Sequence, residues 1–165
     1  MKTTKSKAAI AVVLTVAVAM LALAACGGDD GATTETTSGG DVEVLAASEF
    51  SVADYAGKPL VVNFFGSWCG PCQAEAPDLA EFARGATDAQ VVGIAVNDTE
   101  SDALAFMAEY RMGYPLVIDD NSLGAQYGIT GVPTTIFFDA QGQEKDRIIG
   151  AAGADQFSAS LAKAQ

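Results

Sequence analysis

From residue 41 onward, apolar runs of strand length alternate with longer amphipathic stretches. Leu60–Phe65 (LVVNFF) is an almost continuous apolar run, the pattern of a strand buried on both faces of a central sheet. Gln90–Val96 repeats it, and residues 42–45, 50–52 and 116–118 predict shorter strands. Residues 55–59 (YAGKP) read as a turn. After a loop over residues 66–72, a helix is predicted over 71–84, with Ala74, Leu79, Phe82 and Ala83 available to pack and Pro77 kinking it. Asn97, Asp98 and Thr99 supply caps for a helix over 101–112, whose Leu104, Met107 and Ala108 share one face. A short helix over 122–127 follows. Thr134–Phe138 and residues 147–149 read as an antiparallel pair around an Asp139-Ala140-Gln141-Gly142 turn. A helix over 154–164 closes the chain. Strands and helices alternate, then a hairpin and a helix finish, so the class is α/β: a central mixed β-sheet flanked by helices on both faces.

The first 40 residues follow different rules. Lys2, Lys5 and Lys7 precede an apolar run over residues 8–25 in which Thr15 is the only polar residue. A positive start, an apolar stretch and small residues at its end describe a secretory signal peptide. The run ends in Leu23-Ala24-Ala25-Cys26, which resembles a bacterial lipobox, with Cys26 as the residue that is lipidated. Residues 27–40 (GGDDGATTETTSGG) hold no large apolar side chain and read as a tether. The competing reading is an uncleaved transmembrane helix with a free thiol at its outer end. On the lipobox reading the chain divides into residues 1–25 as signal peptide, 26–40 as lipidated cysteine and tether, and 41–165 as the folded domain, anchored to the outer face of the cytoplasmic membrane. Either reading places that domain outside the cytoplasm, where disulfides persist.

Charge and composition narrow the chemistry. All 21 acidic residues lie after the apolar run, while three of the nine basic ones precede it. A domain this acidic is not a nucleic-acid binder. The chain has no histidine, so Ser-His and Cys-His nucleophiles and His-ligated metals are excluded. Its three cysteines are Cys26, Cys69 and Cys72; a pair and a singleton do not make a disulfide framework.

Trp68-Cys69-Gly70-Pro71-Cys72, after a buried strand and at the start of a helix, resembles the thioredoxin active site. A thiol at a helix N-terminus faces unpaired backbone N–H groups and the positive end of the helix dipole, which favour its thiolate. Pro71 suits the first helical turn, where its missing N–H would have no partner. Cys69 is then the exposed nucleophile, and Cys72, one turn in, resolves the mixed disulfide. Other uses of C-x-x-C fit less well. A c-type haem site needs His where Gln73 stands. A zinc site needs two further ligands. A peroxiredoxin needs Thr or Ser three residues before its reactive Cys, where Cys69 has Gly66. Downstream, Gly131-Val132-Pro133-Thr134 resembles the thioredoxin cis-proline loop, which faces the two cysteines across a substrate groove shaped by Trp68, Gly70, Pro71, Val132 and Pro133.

The run from Asn63 to Pro77 (NFFGSWCGPCQAEAP) is more closely similar to the TlpA- and ResA-like branch of thioredoxin-like proteins, and the resemblance extends over residues 50–165. Asn63 replaces the buried Asp of ordinary thioredoxin and cannot act as a base. Glu75, three residues after Cys72, supplies an acid instead, on the same helical face. Phe65 departs from the Trp common in the branch. Residues 91–120 look like its extra strand–helix segment. The resemblance implies an extracytoplasmic thiol–disulfide oxidoreductase that needs no cofactor and no metal. It would act on protein disulfide or dithiol substrates, with a membrane electron donor or acceptor as second partner. It also implies a reductase of the cytochrome c maturation type, while a disulfide oxidase assisting folding and a non-catalytic partner-binding lipoprotein are the alternatives.

Overall fold

The computed structural model describes residues 42–165. The signal peptide, Cys26 and the tether lie outside the described residues.

Six strands form one sheet: β1 (Val44–Ala46), β2 (Leu60–Phe65), β3 (Gln90–Val96), β4 (Leu116–Asp119), β5 (Thr134–Phe138) and β6 (Glu144–Ile149). Their spatial order is β1-β4-β3-β2-β5-β6. The pairs β1–β4, β4–β3 and β3–β2 are parallel; β2–β5 and β5–β6 are antiparallel. The four helices are α1 (Gly70–Gly85), α2 (Glu100–Glu109), α3 (Ser122–Gln126) and α4 (Ala154–Leu161).

The period of two along β2 divides the core. Val61 and Phe65 point into one apolar layer with Leu79 and Phe82 of α1, Phe106 and Met107 of α2 and Phe157 of α4. Leu60, Val62 and Phe64 point into the other, with Phe50, Val92, Ile94 and Leu123. Phe64, Phe137 and Phe157 are fully buried. Each such side chain contributes about 1.5–3 kcal/mol of transfer free energy. Aromatic pairs tie the helices to each other and to the sheet: Phe65 stacks on Phe106 at 5.1 Å between ring centroids, and Phe82 meets Phe157 at 5.5 Å. Among the described residues helices cover both faces, but unequally: α1, α2 and α4 share one, and the other carries α3 and two short 3-10 turns.

Between those turns, Ala47–Glu49 and Val52–Tyr55, Phe50 and Ser51 keep the extended angles expected of them but join no strand pair among the described residues, and Val52 already begins the second turn. The Ser51 hydroxyl caps that turn, accepting from the Ala53 N–H at 3.3 Å. On α1, Ala74 is exposed and the packing face is instead Cys72, Glu75, Ala76, Leu79, Ala80 and Phe82. α1 is assigned as one helix through Pro77. On α2 the buried face is Ala103, Phe106 and Met107, and Ala108 is exposed. That helix stops at Glu109, because Arg111 takes a positive φ of 57°. The outer strand β6 begins at Glu144, earlier than the apolar pattern indicates. Its charged first half is held by pairs: Lys145 with Asp139 at 2.8 Å, Arg147 with Glu144 at 2.8 Å, and Asp146 with Lys163 at 2.6 Å.

Candidate active site

Strand β2 delivers the chain to the redox loop at the C-terminal end of the parallel strands. Cys69 is the N-cap of α1, and its Sγ accepts the Cys72 backbone N–H at 3.3 Å. Its backbone N–H donates to Gly66 at 3.0 Å, and its carbonyl accepts from Gln73 at 3.0 Å. The loop is thus pinned on both sides of the sulfur. Cys69 and Cys72 are joined as a disulfide, with Cα atoms 5.2 Å apart. Cys69 is less exposed than the sequence suggests: 5%, against 1% for Cys72. Its neighbours carry the surface, since Gly70 and Pro71 are exposed and Trp68 is 59% exposed.

The loop before β5 closes over the sulfur. Cys69 Sγ lies 3.5 Å from the Val132 carbonyl oxygen, and the Val132–Pro133 peptide is cis. Pro133 is buried and Val132 half-buried. The Pro133 carbonyl accepts the Gly150 N–H at 2.9 Å, and the Thr134 hydroxyl donates to the Gly131 carbonyl at 2.8 Å. Both bonds fix this loop to its own hairpin. Trp68, Gly70, Pro71, Val132 and Pro133 therefore come together around the disulfide. Sequence reasoning passed over Ile149, which is paired with Thr134 in register and is 72% exposed. An Ile-Ile pair ending a strand that opens with four charged residues was the available signal.

Glu75 is 3% exposed, on the face of α1 that also buries Cys72 one turn earlier. Its Oε1 accepts from Asn63 Nδ2 at 3.0 Å and its Oε2 from the Ala152 N–H at 3.1 Å. Asn63 Nδ2 also donates to the Thr135 hydroxyl at 2.9 Å. Among the described residues Glu75 has no hydrogen bond to Cys72. Burial pushes the Glu75 carboxyl up to about 7, and the bonds from Ala152 and Asn63 offset part of that push. The group thus changes protonation near neutrality, as a proton acceptor working there requires. Nearby, the buried Tyr114 phenol is also held well above its ordinary value, first by burial and then by the charge on Glu75.

The turn between β3 and α2 also reaches the redox loop. Asp98 accepts from the Ser67 N–H at 2.6 Å and from the Ser67 hydroxyl at 2.9 Å. Trp68 Nε1 donates to the Asn97 carbonyl at 3.1 Å. Of the three caps proposed for α2, Thr99 is the N-cap, its hydroxyl accepting from Asp102 N–H at 3.1 Å. Among the described residues no three His, Cys, Asp or Glu side chains gather to hold a metal.

Comparison with known proteins places this arrangement. The sequence model of the AhpC/TSA family matches residues 37–145. The chain is similar to the thiol:disulfide interchange protein DsbE of Pseudomonas fluorescens, 37% identical over 100 residues, or 59% of this chain and 55% of that protein. It is similar to the thiol-disulfide oxidoreductase ResA of Bacillus anthracis, 30% identical over 122 residues, covering 72% and 70%. The chain thus spans little more than half the length of the first relative. Among solved structures it resembles a secreted Mycobacterium tuberculosis disulfide oxidoreductase homologous to E. coli DsbE, at 29% identity and a TM-score of 0.63, covering 68% of this chain and 87% of that one. A thiol:disulfide interchange protein of Chlorobium tepidum matches at 32% identity and a TM-score of 0.62, covering 70% and 85%. The fold is thioredoxin-like, and the chain belongs to the AhpC/TSA family.

Proposed function

We propose that this protein exchanges disulfides with protein substrates through Cys69 and Cys72, acting as a reductase outside the cytoplasm. The observation that carries the reading is Cys69 Sγ at the N-cap of α1, accepting the Cys72 N–H beside the Val132 carbonyl. In the dithiol form that amide N–H and the helix terminus favour a thiolate on Cys69. The thiolate attacks one sulfur of the substrate disulfide. A mixed disulfide forms, and the other substrate sulfur leaves as a thiolate and is protonated by solvent. Cys72 then gives its proton to the Glu75 carboxylate, directly or through one water, and attacks Cys69 Sγ. The second substrate thiol leaves, and two electrons have passed from the dithiol to the substrate. Trp68, Pro71, Val132 and Ile149 offer apolar contact to the peptide around the substrate cysteine.

The lipobox-like Leu23-Ala24-Ala25-Cys26 supports a lipid anchor at Cys26 on the outer face of the cytoplasmic membrane. The similarity to a secreted Mycobacterium tuberculosis disulfide oxidoreductase supports an extracytoplasmic role, and a reductase there needs a membrane donor to restore its dithiol. The Gly70-Pro71 dipeptide favours reduction, and the resemblance to the ResA-like branch favours cytochrome c maturation as the setting.

Two measurements test this. Cys72→Ser should accumulate a mixed disulfide on Cys69, and Cys69→Ser should not; the opposite pattern would reverse the roles. Equilibration with glutathione should give a potential nearer the roughly −270 mV of reducing thioredoxins than the roughly −120 mV of a strong oxidase. A value at the oxidising end would turn the proposal into a disulfide oxidase using the same two cysteines.

A further inference from the structure

The segment between β3 and α2 reads from sequence as a helix cap, and Asp98 does accept the N–H of the N-cap Thr99 at 3.0 Å, yet Asn97 and Asp98 also bond to the redox loop. Asp98 grips Ser67 at two points, backbone N–H at 2.6 Å and hydroxyl at 2.9 Å. Carboxylate bonds to backbone N–H groups are among the stronger hydrogen bonds in proteins. The next residue, Trp68, is fixed by the same segment through Nε1 and the Asn97 carbonyl at 3.1 Å. Asn97 takes a positive φ of 50°, so the backbone leaves β3 in an unusual conformation where its carbonyl meets the indole. On the other side, Gln73 Nε2 donates to the Ser67 carbonyl at 2.8 Å. Ser67 therefore has its N–H, hydroxyl and carbonyl all engaged, two residues before Cys69. Gly66 completes the seat, since a Cβ there would stand 2.6 Å from Trp68 Cε2 and 2.7 Å from Nε1.

We propose that Asp98 is a positioning residue for the redox loop: its two-point grip on Ser67, with the Asn97 carbonyl on Trp68, holds the indole and Cys69 in the geometry that attacks a substrate disulfide. The role rests on the exchange chemistry proposed above. It gives the β3–α2 segment a task at the active site that helix capping does not require. Trp68 is the indole that flanks the cysteines and is also 59% exposed. An unanchored side chain so exposed would sample several rotamers, and each would present a different surface to the substrate.

The test uses the full chain, in which Trp68 is the sole tryptophan and its emission reports this seat alone. Asp98→Ala removes both bonds to Ser67. Asp98→Asn keeps the two-point grip on Ser67, because its Oδ1 can accept the Ser67 N–H and its Nδ2 can donate to the hydroxyl oxygen, and, like Asp98→Ala, it gives up the bond from the Thr99 N–H, so the two variants differ in the grip alone. Gly66→Ala leaves Asp98 intact and displaces the indole directly. Asp98→Ala should shift Trp68 emission, raise its acrylamide quenching and lower the second-order rate of insulin reduction by about ten- to a hundredfold, the scale of a misplacement near 1 Å. Asp98→Asn should restore emission and bring the rate to within about threefold of wild type, the loss expected for one charge-assisted bond exchanged for a neutral one. Gly66→Ala should reproduce the emission change. Wild-type emission from Asp98→Ala would overturn the proposal, as would equal losses from the Ala and Asn variants. A wild-type chain inactive towards insulin would defeat the exchange reading instead, and the emission series would still decide the grip.

Discussion

Replacing Glu75 with Gln isolates one titration buried in the core. In the folded chain burial holds this carboxyl up to about 7, against an ordinary value of 4.5. Between those two values the folded state keeps a proton that the unfolded chain has released. Stability is therefore full below about pH 4.5 and is lost as pH rises through about 7, with a slope of at most about 1.4 kcal/mol per pH unit. The shift of about 2.5 units corresponds to about 3 kcal/mol. Gln keeps the length and shape of the side chain and does not titrate. Subtracting the wild-type unfolding free energy from that of Glu75→Gln cancels the other acidic groups, which are common to both chains. The difference should move in favour of the Gln variant by about 3 kcal/mol between pH 4 and pH 8. Urea unfolding of the oxidised proteins across that range measures it, with the thiols out of play. A difference curve that is flat, or that moves towards the wild type with rising pH, would refute the assignment. In the dithiol protein the same substitution should remove an inflection near pH 7 from the rate of mixed-disulfide resolution, because it takes away the acceptor proposed for the Cys72 proton.

Three further outcomes are expected. Asn63→Asp replaces the donor to Glu75 Oε1 with a second acid, so the pair should bind an additional proton and the domain should lose about 1–3 kcal/mol at neutral pH, read by urea unfolding. Phe157→Ala should cost about 3–5 kcal/mol in the same assay, since this fully buried ring joins α4 to Phe82 of α1. Cys26→Ser should move the protein from the membrane fraction to the soluble one, and mass spectrometry of the wild type should find a diacylglyceryl group on Cys26; a mature chain beginning at Met1 would count against the anchor.

Much of the scaffold was legible because its strands are short and buried. The bounds of β2, β3 and β5 follow from their apolar runs alone, and the cap-and-proline chemistry of Cys69 and Pro71 follows from residue order. What escaped was set by tertiary partners. Nothing local distinguishes the Glu75 carboxyl from a solvated helix acid, and its burial depends on Asn63 and Ala152, remote in sequence. Asp98 looks like a helix cap because capping and gripping Ser67 use the same short carboxylate. Phe50 and Ser51 carry the composition and the extended angles of a strand, but among the described residues no strand pairs with them. Ala74 and Ala108 were placed on buried faces by apolar type, although alanine carries too little surface to fix the rotation of a helix.

The ion-paired outer strand β6 bears on how substrates of the proposed reductase would meet this chain. On that reading the substrates are incompletely folded chains, which are extended and ready to pair with any open strand. An uncharged sheet edge would catch them by their backbones and hold them away from the sulfurs. Glu144, Lys145, Asp146 and Arg147 line that edge with charge, which makes such pairing unfavourable. The strand ends at Ile149, paired in register with Thr134 just after the loop that faces Cys69, so the exposed apolar side chain on this edge lies at the end near that loop. Under the proposed function the edge would work as a filter, turning away backbone capture along its length and leaving apolar contact at the end nearest the redox loop.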